Sequence, residues 1–193
     1  MIVGASGKID KVKSMSLVLD FSLNLAKSGA DFIAPVISLE NSTKNIRDLL
    51  DQNMLQETKI MPYSAKFASC FYSPYRQMIG SPLTFGGKEE YQIDPKNKQK
   101  ALEILQEDAK SADILMIKPG LNFLDILVEA KKIIAKPISV YHVSGEYQML
   151  KMASNQGIVD WNLSILEIFH CFERAQADYL ISYAAKDLAK LLY

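Results

Sequence analysis

The sequence has no excess of positive charge and no long hydrophobic run, and each shortage excludes a class of function. The 22 Lys and Arg residues equal the 22 Asp and Glu residues, so the chain lacks the basic surplus of proteins that bind nucleic acid phosphates. Nowhere do about 18 apolar residues run together, and the first residues do not resemble a signal peptide. The sequence therefore predicts a cytoplasmic protein without nucleic-acid or membrane partners.

Cysteine and phosphate-binding loops are also scarce. Cys70 and Cys171 are too far apart for the C-x-x-C spacing of zinc and redox sites, and we interpret both as buried thiols. No G-x-G-x-x-G or G-x-x-x-x-G-K-[ST] segment follows a predicted strand. These patterns give no sign of a metal centre or of a nucleotide site.

The sequence does contain a repeated pattern of helix and strand. Three segments carry Ala-Asp before a short apolar run, at 27–35, 110–119 and 175–183, and further apolar runs lie at 59–66 and 137–145. Runs without alternation are typical of strands buried on both faces of parallel sheets. Helices are predicted over residues 15–28, 43–53, 96–110, 123–135, 146–155, 161–174 and 185–192. The chain is therefore predicted to be one α/β domain, residues 1–193, with five βα units.

Alternating βα units form either a (β/α)8 barrel or an open doubly wound sheet. The missing phosphate-binding loops favour the barrel. A complete barrel typically has about 250 residues, whereas this chain has 193 residues and five predicted strands. The sequence therefore predicts an incomplete barrel of the TIM (β/α)8 type.

Two of the predicted strands end in lysine, where barrel active sites lie. Lys66 ends the segment PYSAK, and Lys118 ends ILMIK. If these strands are neighbours, burial and the nearby positive charge lower the pKa of an amine toward neutrality. A neutral amine attacks a carbonyl carbon and forms a Schiff base. Two such lysines can hold two carbonyl substrates for a condensation.

Other polar residues near strand ends suit a substrate that carries carboxylates. Arg76 follows Lys66 by ten residues and can bind a carboxylate through two parallel hydrogen bonds. Ser144 and Tyr183 offer hydroxyl donors, with a turn and simple packing as the alternative roles. Residues 80–92 are rich in glycine and polar groups and long for a connection, which is typical of an active-site lid.

The motifs YSAKFASCFYSPYR, YQIDP, LMIKPGLNFLDI and YHVSGEYQMLK occur in this order. Together they resemble the δ-aminolevulinic acid dehydratase family, also called porphobilinogen synthase. The resemblance runs from about Gly7 to Leu192 and matches the C-terminal part of that family's barrel. It implies the condensation of two 5-aminolevulinate molecules to porphobilinogen, with loss of two waters, in tetrapyrrole and heme biosynthesis.

The resemblance also implies roles for individual residues. Lys118 matches the lysine that forms a Schiff base with the substrate supplying the propionate side. Ser144 and Tyr183 match the groups that bind the carboxylate of this substrate. Lys66 matches the second Schiff-base lysine.

Around the other substrate the match is less complete. Arg76 and Gln92 match family residues there, but the family's second substrate-binding arginine corresponds to Lys88. A lysine keeps the charge and loses the bidentate fork of an arginine. In the segment APVISLENS, Ile37 and Ser42 stand where the family has Asp and Arg.

The family uses zinc or magnesium. The segment with its active-site metal ligands would precede Met1, as would the first three strands and the N-terminal arm used in oligomer assembly. No metal ligand is therefore assigned in this chain, while the resemblance implies a homo-oligomer. Two alternatives remain open, namely a noncatalytic truncated remnant of the enzyme and, with weaker support, another Schiff-base lyase of the aldolase type that needs one lysine.

Overall fold

The computed structural model describes residue 2 and residues 9–36, 39–80 and 92–193. The strands in these ranges are β1 (Phe32–Ile33), β2 (Lys59–Ile60), β3 (Ala65–Lys66), β4 (Leu115–Lys118), β5 (Ile138–His142) and β6 (Tyr179–Ser182). The helices are α1 (Lys11–Lys27), α2 (Ser42–Gln52), α3 (Ser73–Met78), α4 (Lys98–Asp108), α5 (Leu124–Ile133), α6 (Ser144–Asn155), α7 (Trp161–Arg174) and α8 (Ala185–Leu192). Short 3-10 turns cover Cys70–Tyr72 and Leu121–Phe123.

The described strands pair in parallel and in chain order. β1 pairs with β2, and β3, β4, β5 and β6 lie side by side in that sequence. The two sheets meet where the N–H of Asp113, just before β4, donates to the carbonyl oxygen of Ile60 at 2.9 Å. The predicted α/β class with parallel strands is confirmed.

The strand predicted at 59–66 is two short strands with different neighbours. Met61, after β2, still donates its N–H to the carbonyl oxygen of Ile33 at 2.8 Å. Pro62 follows and has no N–H to donate, but the N–H of Tyr63 donates to the carbonyl oxygen of Pro35 at 3.1 Å, so the bonding to the segment after β1 continues past the proline. β3 then pairs with β4. The chain therefore changes partner between Tyr63 and Ala65.

Most buried side chains lie between the larger sheet and the helices. Alternate residues of β4 and β5 point to this side, and Leu115, Ile117, Ile138 and Val140 are fully buried there. A smaller core joins α1 and α2 to β1 and β2. Because side chains alternate along a strand, Lys118 of β4 lies on the opposite face of the sheet from this core.

Helix α7 has the bounds that its sequence pattern predicts. The carboxylate of Asp160 accepts a hydrogen bond from the N–H of Leu163 at 2.8 Å and caps the helix. Ile165 and Phe172 are buried on the apolar face. None of the described helices is long and apolar enough to cross a membrane.

Other predicted bounds and burials differ from the structure. Helix α1 begins earlier than predicted because Asp10 caps it, accepting from the N–H of Lys13 at 3.0 Å. Helix α3 was not predicted, although its Ser-Pro start is typical of a helix N-terminus. The prediction of two buried thiols is wrong, since Cys70 is exposed and Cys171 is half-buried. Cys70 begins the 3-10 turn that contains the buried Tyr72, and Cys171 precedes the buried Phe172 on α7.

The buried side of β4 generates a stability prediction. Replacing Ile117 by Ala removes side-chain carbons from a fully buried position and leaves a cavity. We expect Ile117→Ala to lower the free energy of unfolding by about 2–5 kcal/mol in urea denaturation. The control is Ile133→Ala, at a position that is 50% exposed, where the loss should stay below about 1 kcal/mol. Equal losses at both positions would contradict this placement of the core.

Candidate active site

The pairing of β3 with β4 brings two lysines together. Lys66 and Lys118 are the last residues of these strands and lie directly opposite each other in the parallel register. Next to them, the N–H of Phe67 donates to the carbonyl oxygen of Lys118 at 2.9 Å. Both side chains therefore leave the sheet on the same face, where they line one cavity. The predicted adjacency of the two strand-end lysines is confirmed.

This cavity has a volume of about 310 Å³. Its lining combines tyrosine rings, amide and hydroxyl groups, and three cationic side chains. The lining residues are Val36, Tyr63, Lys66, Tyr72, Tyr75, Arg76, Ile79, Gln92, Lys118, Tyr141, Val143, Ser144 and Tyr183. The charged members of this lining are all cations, so the cavity favours a negatively charged ligand.

Tyrosine rings surround the amine of Lys118. Its Nζ lies 4.0 Å from the ring centroid of Tyr141, 4.8 Å from that of Tyr63 and 5.5 Å from that of Tyr72. Ring faces attract a cation, while the loss of water disfavours it. The rings therefore hold the amine in a defined place, and within the described ranges no carboxylate forms an ion pair with it.

Burial and, to a smaller extent, the positive charge of Arg76 together lower the pKa of Lys118 to about 8. The lysine pair predicts Lys66 as this neighbouring charge, whereas in the structure it is the guanidinium of Arg76. An amine with a pKa near 8 is neutral in about one molecule in ten at pH 7, against about one in three thousand for an ordinary lysine. Lys118 thus has a useful nucleophilic fraction near neutral pH.

Arg76 is a buried cation in the last turn of α3. It is 8% exposed, and its guanidinium carbon lies 5.1 Å from the ring centroid of Tyr72. Within the part of the chain that the structure describes, no carboxylate pairs with it. Burying an unpaired charge is costly, so such an arginine is typical of a site that receives an anion.

Lys66 and Gln92 are buried in the same lining, at 8% and 7% exposure. The next residue after Gln92, Ile93, forms a parallel bridge with Phe67 and so fixes this side of the cavity. Lys88 and the greater part of the predicted lid, residues 81–91, lie outside the described residues.

Ser144 was predicted at a strand end, but it is the first residue of α6. Its Oγ accepts a hydrogen bond from the N–H of Tyr75 at 3.2 Å and donates to the carbonyl oxygen of Phe71 at 3.4 Å. Tyr183 follows β6, is 45% exposed, and has its ring 6.3 Å from that of Tyr141. Both residues reach the cavity that contains Lys118.

The sequence model of the delta-aminolevulinic acid dehydratase family matches residues 1–191, almost the whole chain. The chain belongs to this family. A dehydratase from Helicobacter pylori (strain J99) is 40% identical over 188 residues, covering 97% of this chain and 58% of that protein. The Escherichia coli (strain K12) dehydratase is 43% identical over 166 residues, covering 86% of this chain and 51% of that protein.

A solved structure gives the same assignment. The delta-aminolevulinic acid dehydratase of Toxoplasma gondii ME49, in complex with its reaction product porphobilinogen, superimposes with a TM-score of 0.95 at 37% identity. The match covers 98% of this chain and 55% of that one. The fold is therefore that of the corresponding part of a TIM-barrel dehydratase, and the chain spans little more than half the length of these relatives.

The dehydratase family is metal-dependent, and the described residues do not fit a metal. No group of three or more His, Cys, Asp or Glu side chains within the described ranges is placed to hold an ion. The cavity lining supplies ammonium, guanidinium, amide and hydroxyl groups, and its cations would repel a metal ion.

Sequence reasoning missed several residues of this cavity. Tyr63 and Tyr141 cover the amine of Lys118. Tyr141 lies in β5 on the opposite face from the core residues Ile138 and Val140, and this alternation was the signal that could have found it. The hydroxyl of Tyr72 lies 2.8 Å from the carbonyl oxygen of Phe67 and 3.0 Å from that of Lys118, so it ties the ends of β3 and β4 together. Burial raises the pKa of this hydroxyl, which stays protonated and able to donate.

The charge of Arg76 generates a prediction about Lys118. Removing a neighbouring cation lets an amine hold its proton more tightly, so Arg76→Gln should raise the pKa of Lys118 above about 8. Acylation of Lys118 by an amine-reactive anhydride near pH 7 should fall about threefold to tenfold, because it follows the neutral fraction. Mass spectrometry across a pH series measures this, with Arg174→Gln on α7 as the control. An unchanged or lower midpoint in Arg76→Gln would refute the electrostatic assignment.

Proposed function

We propose that this chain carries the two Schiff-base lysines of a porphobilinogen synthase and acts in the condensation of two 5-aminolevulinate molecules. The observation that carries the proposal is the register of β3 and β4, which sets Lys66 opposite Lys118 at one cavity. The buried Arg76 beside them supports a substrate with a carboxylate. The product named for the Toxoplasma gondii relative is consistent with this reaction.

The first imine forms on Lys118. Its neutral amine attacks the ketone carbon of 5-aminolevulinate, the carbon–nitrogen bond forms, and the ketone oxygen takes up protons and leaves as water. The resulting cationic imine occupies the position of Nζ, where the ring of Tyr141 lies 4.0 Å away and stabilises positive charge. Ser144 and Tyr183 are proposed to bind the carboxylate of this substrate from the other side of the cavity.

The second substrate is proposed to bind at Lys66. The amine of Lys66 forms the second imine by the same exchange of a carbonyl oxygen for nitrogen, releasing another water. Arg76 and Gln92, which share the cavity lining with it, are proposed to hold the second carboxylate, together with Lys88. Two imines held at neighbouring strand ends bring the reacting carbons close enough to condense.

We also propose that the chain forms five βα units of a barrel that is completed by further strands. In the described residues, β1 and β6 are each paired on one side, which leaves two strand edges available. A homo-oligomer and a cytoplasmic location are proposed from the family assignment. The zinc or magnesium of the family would be bound by groups other than those described in this cavity.

A noncatalytic remnant is the second candidate. Its support is the replacement of family Asp and Arg residues by Ile37 and Ser42. An aldolase-type lyase is disfavoured because it needs one lysine, whereas two occupy matched positions here.

Imine trapping tests the first step. Borohydride reduction in the presence of 5-aminolevulinate should leave a covalent adduct on Lys118, detected by mass spectrometry of the digested protein. We expect Lys118→Met to abolish this adduct, because Lys118 is the cage amine with a pKa of about 8. Lys66→Met should retain it, since Lys66 is assigned to the other substrate.

Lys132→Met, which changes a surface lysine of α5, is the control and should trap as well as the wild type. Equal trapping in wild type and Lys118→Met would refute the assignment of the first imine. No trapping in any variant would favour the remnant. Porphobilinogen formation is the stricter test, and we expect it to be weak or missing in this chain alone.

The proposed incomplete barrel generates a hydrodynamic prediction. Phe32 of β1 and Tyr179 of β6 are about half exposed on the two edge strands, so each edge presents unpaired backbone and apolar surface. The isolated chain should therefore self-associate or unfold with low cooperativity. Sedimentation and thermal melts measure this. A monodisperse monomer with one sharp unfolding transition would count against an open barrel.

A further inference from the structure

Glu146 is a buried carboxylate that the proposed reaction does not use. It lies in the first turn of α6 and is 3% exposed. No ion pair involves it within the described ranges. A buried carboxylate without a cation needs hydrogen-bond donors, and here all the donors are backbone N–H groups.

One of its bonds is an ordinary helix cap. Oε2 of Glu146 accepts from the N–H of Val143 at 2.7 Å, which satisfies a donor at the start of α6. The other carboxylate oxygen reaches a different part of the fold. Oε1 accepts from the N–H of Leu121 at 3.0 Å, in the connection between β4 and α5. A cap alone does not require this second bond.

The two segments that Glu146 joins are those that place the amine of Lys118. Leu121 lies three residues after Lys118, and Val143 lies two residues after Tyr141, whose ring covers that amine at 4.0 Å. Between them, the N–H of Gly120 donates to the carbonyl oxygen of Tyr141 at 2.8 Å. The relative position of the two strand ends therefore sets the contact between amine and ring.

Close packing leaves α6 little freedom to shift. A Cβ added to Gly145 would lie 2.5 Å from the carbonyl oxygen of Phe71, in the turn that leads to Tyr72. Tyr72 contributes another ring to the cage around Lys118. Glu146 therefore extends from a helix start that is already fixed against the cage to the chain segment that follows Lys118.

We propose that Glu146 is a positioning residue for Lys118, holding the segment after β4 against the start of α6 so that the amine stays inside its tyrosine cage. This inference rests on the proposed imine chemistry of Lys118. Glu146 acts through the backbone and not through its charge, because the pKa of Lys118 is lowered by burial and by Arg76, with no contribution from Glu146. Burial raises the pKa of Glu146 to about 7, and the N–H donors of Val143, Leu121 and Asn122 oppose this rise.

The test uses Glu146→Gln, which keeps the shape of the side chain. The amide offers one acceptor oxygen and sets an N–H donor against one of the two backbone N–H groups. We expect the β4–α5 connection to loosen, Lys118 to become more exposed, and its pKa to rise toward that of an ordinary lysine. Acylation of Lys118 by acetic anhydride near pH 7, followed by mass spectrometry across a pH series, should fall at least about threefold.

Glu167→Gln is the matched control, since it makes the same chemical change at an exposed position of α7. The titratable groups near Lys118, namely Lys66, Arg76 and the rings of Tyr63, Tyr72 and Tyr141, are unchanged in both variants. Amide hydrogen exchange gives a second readout. The peptides that contain Leu121 and Val143 should exchange faster in Glu146→Gln, while those from the strand pairing of β5 with β6 keep their protection.

Faster exchange at these two segments with an unchanged pH profile for Lys118 would overturn the proposal and leave Glu146 as a structural cap. If circular dichroism shows that Glu146→Gln does not fold, the same measurements are made on Glu146→Asp, which keeps two acceptor oxygens on a shorter side chain. An intermediate shift of the Lys118 profile in Glu146→Asp supports the proposal, and an unshifted profile or a second failure to fold overturns it. Acylation needs no substrate, so absence of an imine with 5-aminolevulinate would refute the proposed function without deciding the role of Glu146.

Discussion

The parallel register between β3 and β4 is the constraint on which the site depends. Side chains alternate along a strand, so a slip of one residue would turn Lys118 into the apolar layer and bring Ile117 into the cavity. Leu115 and Ile117 are fully buried on the helix-facing side, and their burial stabilises the register. The hydrophobic core thus determines which way the two lysines point.

The same arrangement places cations where the protein would otherwise avoid them. Lys66 and Arg76 are almost fully buried, and Lys118 shares their cavity. Desolvation and mutual repulsion both raise the free energy of this cluster, and tyrosine faces recover part of it. The remaining unfavourable electrostatic free energy is lowest when an anion enters the cavity or when one of the amines loses its proton. The proposed anion binding and the proposed imine chemistry would therefore both lower the electrostatic free energy of this cluster.

Sequence reasoning reached what local patterns encode. Apolar runs ending in lysine gave the neighbouring strands of Lys66 and Lys118, and a periodic apolar face with a capping Asp160 gave helix α7. It could not give contacts between distant segments. The identity of the cation beside Lys118 depends on where the short helix α3 brings Arg76, and the tyrosine cage depends on which strand faces lie together.

Ser144 shows how one hydroxyl can serve the fold and a ligand. Its oxygen accepts from the N–H of Tyr75 at 3.2 Å and donates along a long 3.4 Å contact to the carbonyl of Phe71. A hydroxyl has one proton to donate, so donation to a carboxylate requires release of Phe71 but not of Tyr75. The stronger bond, which connects α6 to the helix that carries Arg76, can persist. A carboxylate that binds Ser144 would thus replace only the long contact to Phe71, and Arg76 would keep its position.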